Sequence, residues 1–413
     1  MSTDTTTPAS LTPAESPQFQ RARERLAPVF AWIAETAAER DRARRTDREA
    51  TDRLAAAGFP GLRVPLELGG AGLGFAEAAR LYFELAVADS NVLQALRVHA
   101  VNVETVLRTQ SPRRQTWLRR FAEGQTVANA TTERANPSGH LQTRLSTRQD
   151  GTPVLNGRKF YSTGSLYADW IIVVAEDEDG AERSATVAAD APGVRLHDDW
   201  HGFGQRLSAS GTTDFTDVEV DPEEISPVGL SLDDGSSVFA SQAIFQFIHL
   251  LGLAGIARRA ADDAAAYVAG RQRGFSHAAA QPPRRDPQVL QVVGEVQAKA
   301  FAARAALEAV VDPLDRALAA EGAGAPLPEE DIDELYARVY AAQQVIAQAA
   351  LSAATQLFEV GGASATESDR GLDRHWRNAR VLANHNPLIY RARLLGDRAV
   401  NGTPLERCYR VGS

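Results

Sequence analysis

The chain has 413 residues, of which 44% are hydrophobic and 23% are charged, with a formal net charge of −9 and a single cysteine, Cys408. This length allows two or three domains around a large core, and the lone cysteine excludes both an internal disulfide framework and a cysteine-based metal site. The negative charge argues against a general nucleic-acid binder, and no apolar run approaches the ~20 residues that span a bilayer.

Three regions follow a short lead. Residues 1–16 have neither a basic start nor an apolar core, so they predict a disordered lead rather than a secretory signal, and we expect a cytoplasmic protein. Residues 17–124 are helical in pattern, residues 125–226 have the short β-branched runs and turns of an antiparallel sheet, and residues 227–413 are helical again. Because strands and helices do not alternate, a doubly wound fold is excluded.

A helix in the N-terminal region carries a histidine on its apolar side. In "DSNVLQALRVHAVNVETVLR" either Asp89 or Ser90 fits an N-cap, and apolar residues recur around His99 at 4-3-4-3 spacing. His99 is therefore either a hydrogen-bonded core histidine or a polar group that points into a cavity. His99, His140 and His385 have no metal-like spacing, so no metal site is predicted.

The glycine-rich run Gly69–Gly74 does not match the dinucleotide-binding pattern. It fails the G-x-G-x-x-G spacing because Phe75 stands where the third glycine is needed, and neither a P-loop nor a Gly-x-Ser-x-Gly elbow occurs in the chain. If the protein performs redox chemistry, its reducing power must therefore come from elsewhere.

The segment "GRKFYSTGSLYADWIIVVA" has three consecutive residues that do not suit a core strand. Tyr161, Ser162 and Thr163 precede a glycine, and the apolar run arrives only at Trp170. The pattern predicts a strand end or loop that presents hydroxyl and backbone N–H groups to a ligand. A hydroxyl-rich turn between two strands is the alternative.

Near the C-terminus, "NHNP" separates two helical patterns. Asn386 and Pro387 fit the N-cap and first position of a new helix, which places Asn384 and His385 in a tight corner between helices. One face of the preceding helix carries a stripe of polar residues: Asp373, Arg377, Arg380 and Asn384. That stripe fits a solvated surface as well as a site.

Together these segments resemble the acyl-CoA dehydrogenase superfamily over nearly the whole chain. The resemblance is carried by "GFPGLRVPLELGGAGLGFAEAARLYFELA", "ATTERANPSGH", "GRKFYSTG" and "QLFEVGGASA". It implies an α+β fold with an N-terminal helical domain, a central antiparallel β-barrel or sandwich and a C-terminal helical bundle. It also implies that the Tyr-Ser-Thr-Gly stretch is a wall of an isoalloxazine pocket.

Two segments depart from the dehydrogenase pattern. Where dehydrogenases carry a catalytic glutamate, this chain reads "VLANHNPLIY", and a loop that often ends Gly-Ser-Asp reads Ser138-Gly139-His140. A general base must lie within hydrogen-bonding reach of the proton it removes, so α,β-dehydrogenation loses its mechanism.

The segments "KFYSTGSLYADW", "DDWHGFGQRLSASGTTDF" and "LDRHWRNARVLANHNPLIY" instead resemble the flavin-dependent monooxygenase branch of this superfamily, which includes dibenzothiophene and indole oxygenases. This resemblance implies that a separate NAD(P)H flavin reductase supplies reduced FMN, with FAD as the alternative. The reduced flavin and O2 would form a C4a-hydroperoxyflavin, which oxygenates a heteroaromatic or other small organic substrate at S, N or C.

The same resemblance assigns the site residues. Ser162, His99, His385 and Asn129 match catalytic pocket positions, with Ser162 facing the peroxide. The implied flavin-binding set, in which Thr163 lies near N5 and Arg271 reaches the phosphate across a tetramer interface, is Asn129, Thr131, Tyr161, Ser162, Thr163, Arg271, Gln356, Gly361, Gly362 and Arg380. The branch therefore implies a homotetramer. Val103 replaces an aromatic residue of the dibenzothiophene enzymes, which implies a different substrate pocket.

Two alternatives remain open at this point. One is an acyl-CoA dehydrogenase or oxidase whose catalytic base lies elsewhere in the chain. The other is a scaffold of the same fold that has lost its cofactor, against which the retained Ser162, Thr163 and Arg271 argue.

Overall fold

The computed structural model describes residues 15–134, 140–228, 239–325 and 327–407. Residues 1–14 of the predicted lead, Ser138 and Gly139 of the Ser138-Gly139-His140 loop, and Cys408 lie outside the described residues.

Helices form the N-terminal part of the chain. Their bounds are α1 (Pro17–Ala43), α2 (Glu49–Ala56), α3 (Phe75–Ala88), α4 (Ser90–Ala95), α5 (Arg97–Arg108) and α6 (Arg114–Ala122). The Asp89 carboxylate accepts a hydrogen bond from the backbone N–H of Asn91 at 2.9 Å, which confirms Asp89 as an N-cap. The helix predicted to continue from there is broken at Leu96 into α4 and α5.

The central part is a mixed sheet rather than a purely antiparallel one. Its strands are β1 (Val127–Ala130), β2 (Arg144–Thr147), β3 (Pro153–Lys159), β4 (Trp170–Glu176), β5 (Glu182–Ala188), β6 (Val194–Leu196), β7 (Thr213–Glu219) and β8 (Ile225–Pro227). The strand order is β6-β7-β3-β2-β4-β5-β8, and β1 pairs with β4. Both β1 and β2 run parallel to β4, with Asn129 opposite Ile172 and Arg144 opposite Glu176.

The parallel pairing has a topological cause. The β2–β3 hairpin lies between β1 and β4 in sequence, and parallel strands require such a long connection, whereas a tight turn produces antiparallel neighbours. Alternation of apolar residues predicts a strand but not the direction of its partner. On β4, the inward-facing Ile171, Val173 and Ala175 are fully buried and form part of the sheet core.

The C-terminal part is a bundle of long helices. Their bounds are α7 (Phe239–Gly270), α8 (Pro287–Gly322), α9 (Glu329–Gln356), α10 (Asp373–His385) and α11 (Leu388–Asn401). One continuous apolar core joins this bundle to α1 and α3. At the α3–α7 crossing, Gly255 brings α7 so close to Ala86 that a Cβ there would overlap it. In the described ranges no helix combines the length and apolar character needed to cross a membrane.

The predicted cap before the last helix is wrong. Asn386 follows the last residue of α10, and α11 begins at Leu388 with Pro387 at its N-cap position and no side-chain cap. The Asn386 amide is buried and donates instead to Oε1 of Gln246 at 2.6 Å. A buried amide must find a partner, and Gln246 on α7 is that partner.

Candidate active site

The Tyr-Ser-Thr-Gly segment is a turn at the end of β3, as its sequence indicates. The Phe160 N–H donates to the Thr132 carbonyl at 2.8 Å, and the Ser162 N–H donates to the Gly211 carbonyl at 3.0 Å. Between these bonds Tyr161 adopts a left-handed conformation with φ of 58°, which is uncommon outside glycine. Its ring is about half-exposed as a result. The backbone therefore turns Tyr161 outward and Ser162 inward.

Two polar atoms, one on this turn and one on the adjacent strand β1, are buried without a partner. Ser162 is 0% exposed, and neither its Oγ nor the buried Oδ1 of Asn129 has a hydrogen-bond partner in the described part of the chain. The Asn129 amide makes only a long contact of 3.5 Å to Oγ1 of Thr131. Buried polar groups without partners are uncommon in folded proteins, and a bound ligand is one way to satisfy them. Their donor and acceptor character suits the polar edge of a flavin ring, so this wall fits the cofactor that the sequence predicts.

The hydroxyl of Thr163 is already bonded within the protein. Its Oγ1 lies 2.9 Å from Oγ of Ser210, which in turn lies 2.8 Å from Oγ of Ser208. The sequence interpretation missed Ser208 and Ser210, because the left-handed backbone of Ala209 between them, with φ of 49°, has no clear signal in "RLSASG". This chain of hydroxyls fixes the turn from behind.

The turn is also held against the helices. Gly164 has φ of 84°, and a Cβ at this position would overlap the Ala95 carbonyl oxygen at the end of α4. The segment behind the turn is anchored to α10, because the Gln205 N–H donates to Oδ1 of Asn378 at 2.6 Å. These contacts place the Ser162 turn directly beside the junction of α4 and α5.

The lysine before the turn has a structural partner. Lys159 is fully buried, and its Nζ lies 2.6 Å from Oε1 of Glu133, which also accepts from the N–H and hydroxyl of Thr143 at 2.9 and 2.7 Å. Burial opposes ionisation of Glu133, but the Lys159 ammonium and the backbone donors outweigh it and hold the pKa of Glu133 at about 2. This pair ties the end of β3 to the segment after β1.

His99 lies in a packed setting. It is buried, its Nε2 lies 3.0 Å from the Pro60 carbonyl oxygen, and its ring meets the edge of Phe121 at a centroid distance of 5.0 Å. Burial lowers the pKa of His99 to about 4, so the ring is neutral at physiological pH and donates from Nε2. Its Nδ1, however, is buried without a hydrogen-bond partner in the described residues, so the contacts of His99 suit a core histidine as well as a polar group that faces a ligand.

His385 lies beside a second histidine, His249, which sequence interpretation missed. Their ring centroids are 4.1 Å apart. Part of the His385 side chain is accessible to solvent. The surrounding protein nevertheless lowers the pKa of His385: burial of the ring is the first cause and the positive charge of Arg97 is the second. His385 therefore lies at the surface beside a buried imidazole. Arg97 lies two positions before His99 on α5, so the two side chains point to roughly opposite sides of the helix. The structure therefore places His385 next to His249 and not next to His99.

The positions expected at a subunit interface form a separate group. Arg271 Nη1 donates to the Val360 carbonyl at 3.0 Å, which brings it next to Gly361 and Gly362. A Cβ on Gly362 would press against the ring of Phe275. Gln356 is held by Nζ of Lys299 at 2.6 Å and by Glu295, while Arg380 bonds to Asn384 one turn along α10. Their assignment to a neighbouring subunit's flavin stays a prediction.

A groove of about 1070 Å³ lies elsewhere, between α1, α3, α7 and α8. It is lined by apolar and charged side chains that include Phe83 and Phe301, and none of the residues predicted to be functional lines it. In the described part of the chain no group of three or more histidine, cysteine or acidic side chains is arranged to hold a metal ion.

Sequence models of the acyl-CoA dehydrogenase family match most of the chain. The N-terminal domain matches residues 21–125, the middle domain residues 128–218 and the C-terminal domain residues 249–388. The chain therefore belongs to the acyl-CoA dehydrogenase family.

Individual relatives define the branch. Dibenzothiophene monooxygenase of Rhodococcus erythropolis is 31% identical over 391 residues, covering 90% of this chain and 91% of that protein. The "Probable FMNH2-dependent monooxygenase SfnC" of Pseudomonas putida is 32% identical over 378 residues, covering 89% and 92%. The crystal structure of FMN-bound TdsC from Paenibacillus sp. A11-2 superposes with a TM-score of 0.84 at 25% identity, covering 95% of this chain and 99% of that one. Within the family, this chain is a flavin-dependent monooxygenase.

Proposed function

We propose that this protein is the oxygenase component of a two-component flavin monooxygenase. It takes FMN already reduced by a separate NAD(P)H-dependent reductase and transfers one atom of O2 to a small organic substrate. The balanced reaction consumes FMNH2, O2 and substrate, and yields oxygenated substrate, FMN and water. SfnC is described as FMNH2-dependent and TdsC was crystallised with FMN, and both relationships support the proposal.

The observation that carries the proposal is two buried atoms without a partner in the described residues, Oγ of Ser162 on the strand-end turn and Oδ1 of Asn129 on the adjacent strand β1. When bound there, reduced flavin supplies the electrons that activate O2. The Ser162 hydroxyl is free to donate a hydrogen bond to a bound flavin. The Thr163 hydroxyl is already hydrogen-bonded to Ser210 and stabilises the turn. A preorganised donor in a site without water stabilises developing negative charge most effectively.

The surroundings of His385 distinguish this proposal from a dehydrogenase with a relocated base. Burial is the first cause that lowers the pKa of His385, and among the described residues the charged side chains that act on it are Arg97 and Arg391 rather than a carboxylate. A general base must lie within hydrogen-bonding reach of the proton it removes, and the described surroundings of His385 offer no carboxylate for that role.

Product analysis with labelled oxygen tests the proposal. The purified chain is mixed with FMN, NADH, any flavin reductase and ¹⁸O2, with dibenzothiophene as a neutral substrate and benzenesulfinate as an anionic one. We expect one ¹⁸O atom in the product. Formation of H2O2 alone with every substrate, together with bleaching of oxidised flavin by an acyl-CoA, would instead identify a dehydrogenase.

A further inference from the structure

A row of exposed aromatic side chains leads away from the Ser162 turn. The outward-facing ring of Tyr161 meets the ring of Trp200 at a centroid distance of 6.2 Å and an interplanar angle of 82°. Phe203 lies in the same connection between β6 and β7 as Trp200, and it is 53% exposed. Its ring stacks on Trp376 of α10, which is 40% exposed, with a centroid distance of 6.1 Å and an angle of 22° between the planes. We call Tyr161, Trp200, Phe203 and Trp376 the aromatic surface.

The loop that carries Phe203 is fixed by hydrogen bonds on both sides of the ring. Trp200 Nε1 donates to the Gln205 carbonyl at 2.9 Å, which closes the loop on itself. Nη1 of Arg377 on α10 donates to the Phe203 carbonyl at 3.0 Å, and the bond from the Gln205 N–H to Asn378 adds a second tie to the same helix. The Phe203 ring is therefore held at the surface before any ligand arrives, and such a preorganised contact loses less conformational entropy on binding.

The aromatic surface offers a ligand stacking rather than charge. Arg44, which donates to the Trp200 carbonyl, is paired with Asp198 at 3.0 Å. Arg377 is paired in turn with Asp41 at 2.6 Å. Exposed aromatic side chains that lie together mark a binding surface, and two nearly parallel rings present a face that suits another flat ring system. The ligand that fits this surface is therefore a planar aromatic molecule.

The proposed reaction indicates which planar molecule has to pass here. FMN arrives reduced from a separate reductase and leaves oxidised in every turnover, so its isoalloxazine ring must enter and leave the protein repeatedly. Tyr161 belongs both to the aromatic surface and to the predicted wall of the flavin pocket. A ring that stacks on Phe203 and Trp376 is thus beside the pocket that it has to enter.

We propose that the aromatic surface captures the isoalloxazine ring of FMN, which stacks on Phe203 and Trp376 before it reaches the Ser162 turn. The inference rests on the proposed function, because only a cofactor that is exchanged in each turnover needs a capture site. Stacking lengthens each encounter and so raises the rate of association. It assists release equally, because the ring leaves by the same route, and the affinity of the seated flavin does not depend on it.

Stopped-flow binding of oxidised FMN to the full chain, followed by the quenching of flavin fluorescence, tests the inference. Trp376→Leu and Phe203→Leu should each lower the association rate constant about fivefold and the dissociation rate constant by a similar factor, so that Kd stays within about twofold. Trp376→Phe keeps a ring for stacking and should retain most of the rate. Both side chains are largely exposed, so the variants should fold, and thermal melting checks that they do.

An exposed aromatic residue in another part of the molecule provides the control. Phe301 on α8 is 74% exposed and lines the separate groove, so Phe301→Leu should leave both FMN rate constants unchanged. Unchanged association in both Trp376→Leu and Phe203→Leu would overturn the inference. So would a loss of FMN affinity through faster dissociation alone, because the two rings would then contact the seated flavin.

Two further outcomes would assign the aromatic surface to a different occupant and refute the inference. Weaker binding of dibenzothiophene with unchanged FMN kinetics would assign it to the substrate. A change of oligomeric state in Trp376→Leu, seen by light scattering with unchanged FMN kinetics, would assign it to a contact between copies of the chain. Because FMN binding is measured without O2 or substrate, unchanged rates together with ¹⁸O in the product would refute this inference and leave the proposed function standing.

Discussion

Replacing Ser162 by alanine should improve the stability of the flavin-free protein and damage its chemistry. The Ser162 Oγ is fully buried without a partner in the described chain, and an unmet buried polar group costs roughly 1–3 kcal/mol. Ser162→Ala removes that atom but keeps the backbone bond to Gly211. We therefore expect the free energy of unfolding to rise by up to about 1 kcal/mol, which in a chain of this size raises Tm by no more than about 2 °C.

The chemical effect has the opposite sign. A preorganised donor at developing charge contributes about 2.7–4 kcal/mol, so product formation should fall by about 10²–10³-fold while O2 consumption continues as H2O2. The assay pairs thermal melting of the flavin-free protein with the ratio of H2O2 to product under reduced FMN.

Ser165 supplies a matched control in the same turn. It is equally buried, but its Oγ donates to the Ala209 carbonyl at 3.5 Å. Ser165→Ala should lower the unfolding free energy by about 0.5–1 kcal/mol and leave the H2O2 ratio unchanged. If Ser162→Ala lowers Tm as Ser165→Ala does and remains fully coupled, Ser162 is a packing residue and the reasoning is refuted.

Three further predictions concern His99, His375 and the subunit assembly. His99→Ala should lower the unfolding free energy by about 3 kcal/mol, because it opens a cavity and leaves a buried carbonyl unpaired; a stable but uncoupled variant would return His99 to catalysis. Burial, aided by nearby arginines, lowers the folded-state pKa of His375 to about 4, below its unfolded value. Because the unfolded state then binds more protons, the free energy of unfolding should fall as pH drops from about 6.5 to 4. Denaturant titrations should show a weaker fall for His375→Gln, and an unchanged pH profile in that variant would contradict this. Light scattering should find a homotetramer, and Arg271→Gln should weaken FMN more than riboflavin; a fully active monomer would refute the assembly.

The sequence predicted much of the fold because its signals are local. The strand-end turn at Tyr161–Thr163 and the cap at Asp89 depend on residues close in the chain. The direction of β1 and β2 could not be predicted in this way, because it depends on how the intervening hairpin is placed. The hydrogen bond between Asn386 and Gln246 could not be predicted from the sequence either, because the two residues are 140 positions apart.

The candidate site shows the same division. Ser162 and Asn129 could be predicted from the resemblance, although only the structure shows that their oxygen atoms lack partners. His249 could not be found, because a single histidine within "FIHLLG" has the pattern of a core residue. Its position beside Arg97 and His385 becomes visible only in the folded structure, where α5, α7 and α10 pack together.

Rapid mixing of the protein and reduced FMN with O2 tests the central claim without requiring the substrate. Absorbance is followed in the near-ultraviolet and at the oxidised-flavin band, for the native chain and for Ser162→Ala. We expect a near-ultraviolet transient that precedes the return of the oxidised-flavin spectrum and is shorter-lived in Ser162→Ala. Direct reoxidation at the rate of free FMN, identical in both proteins, would contradict it.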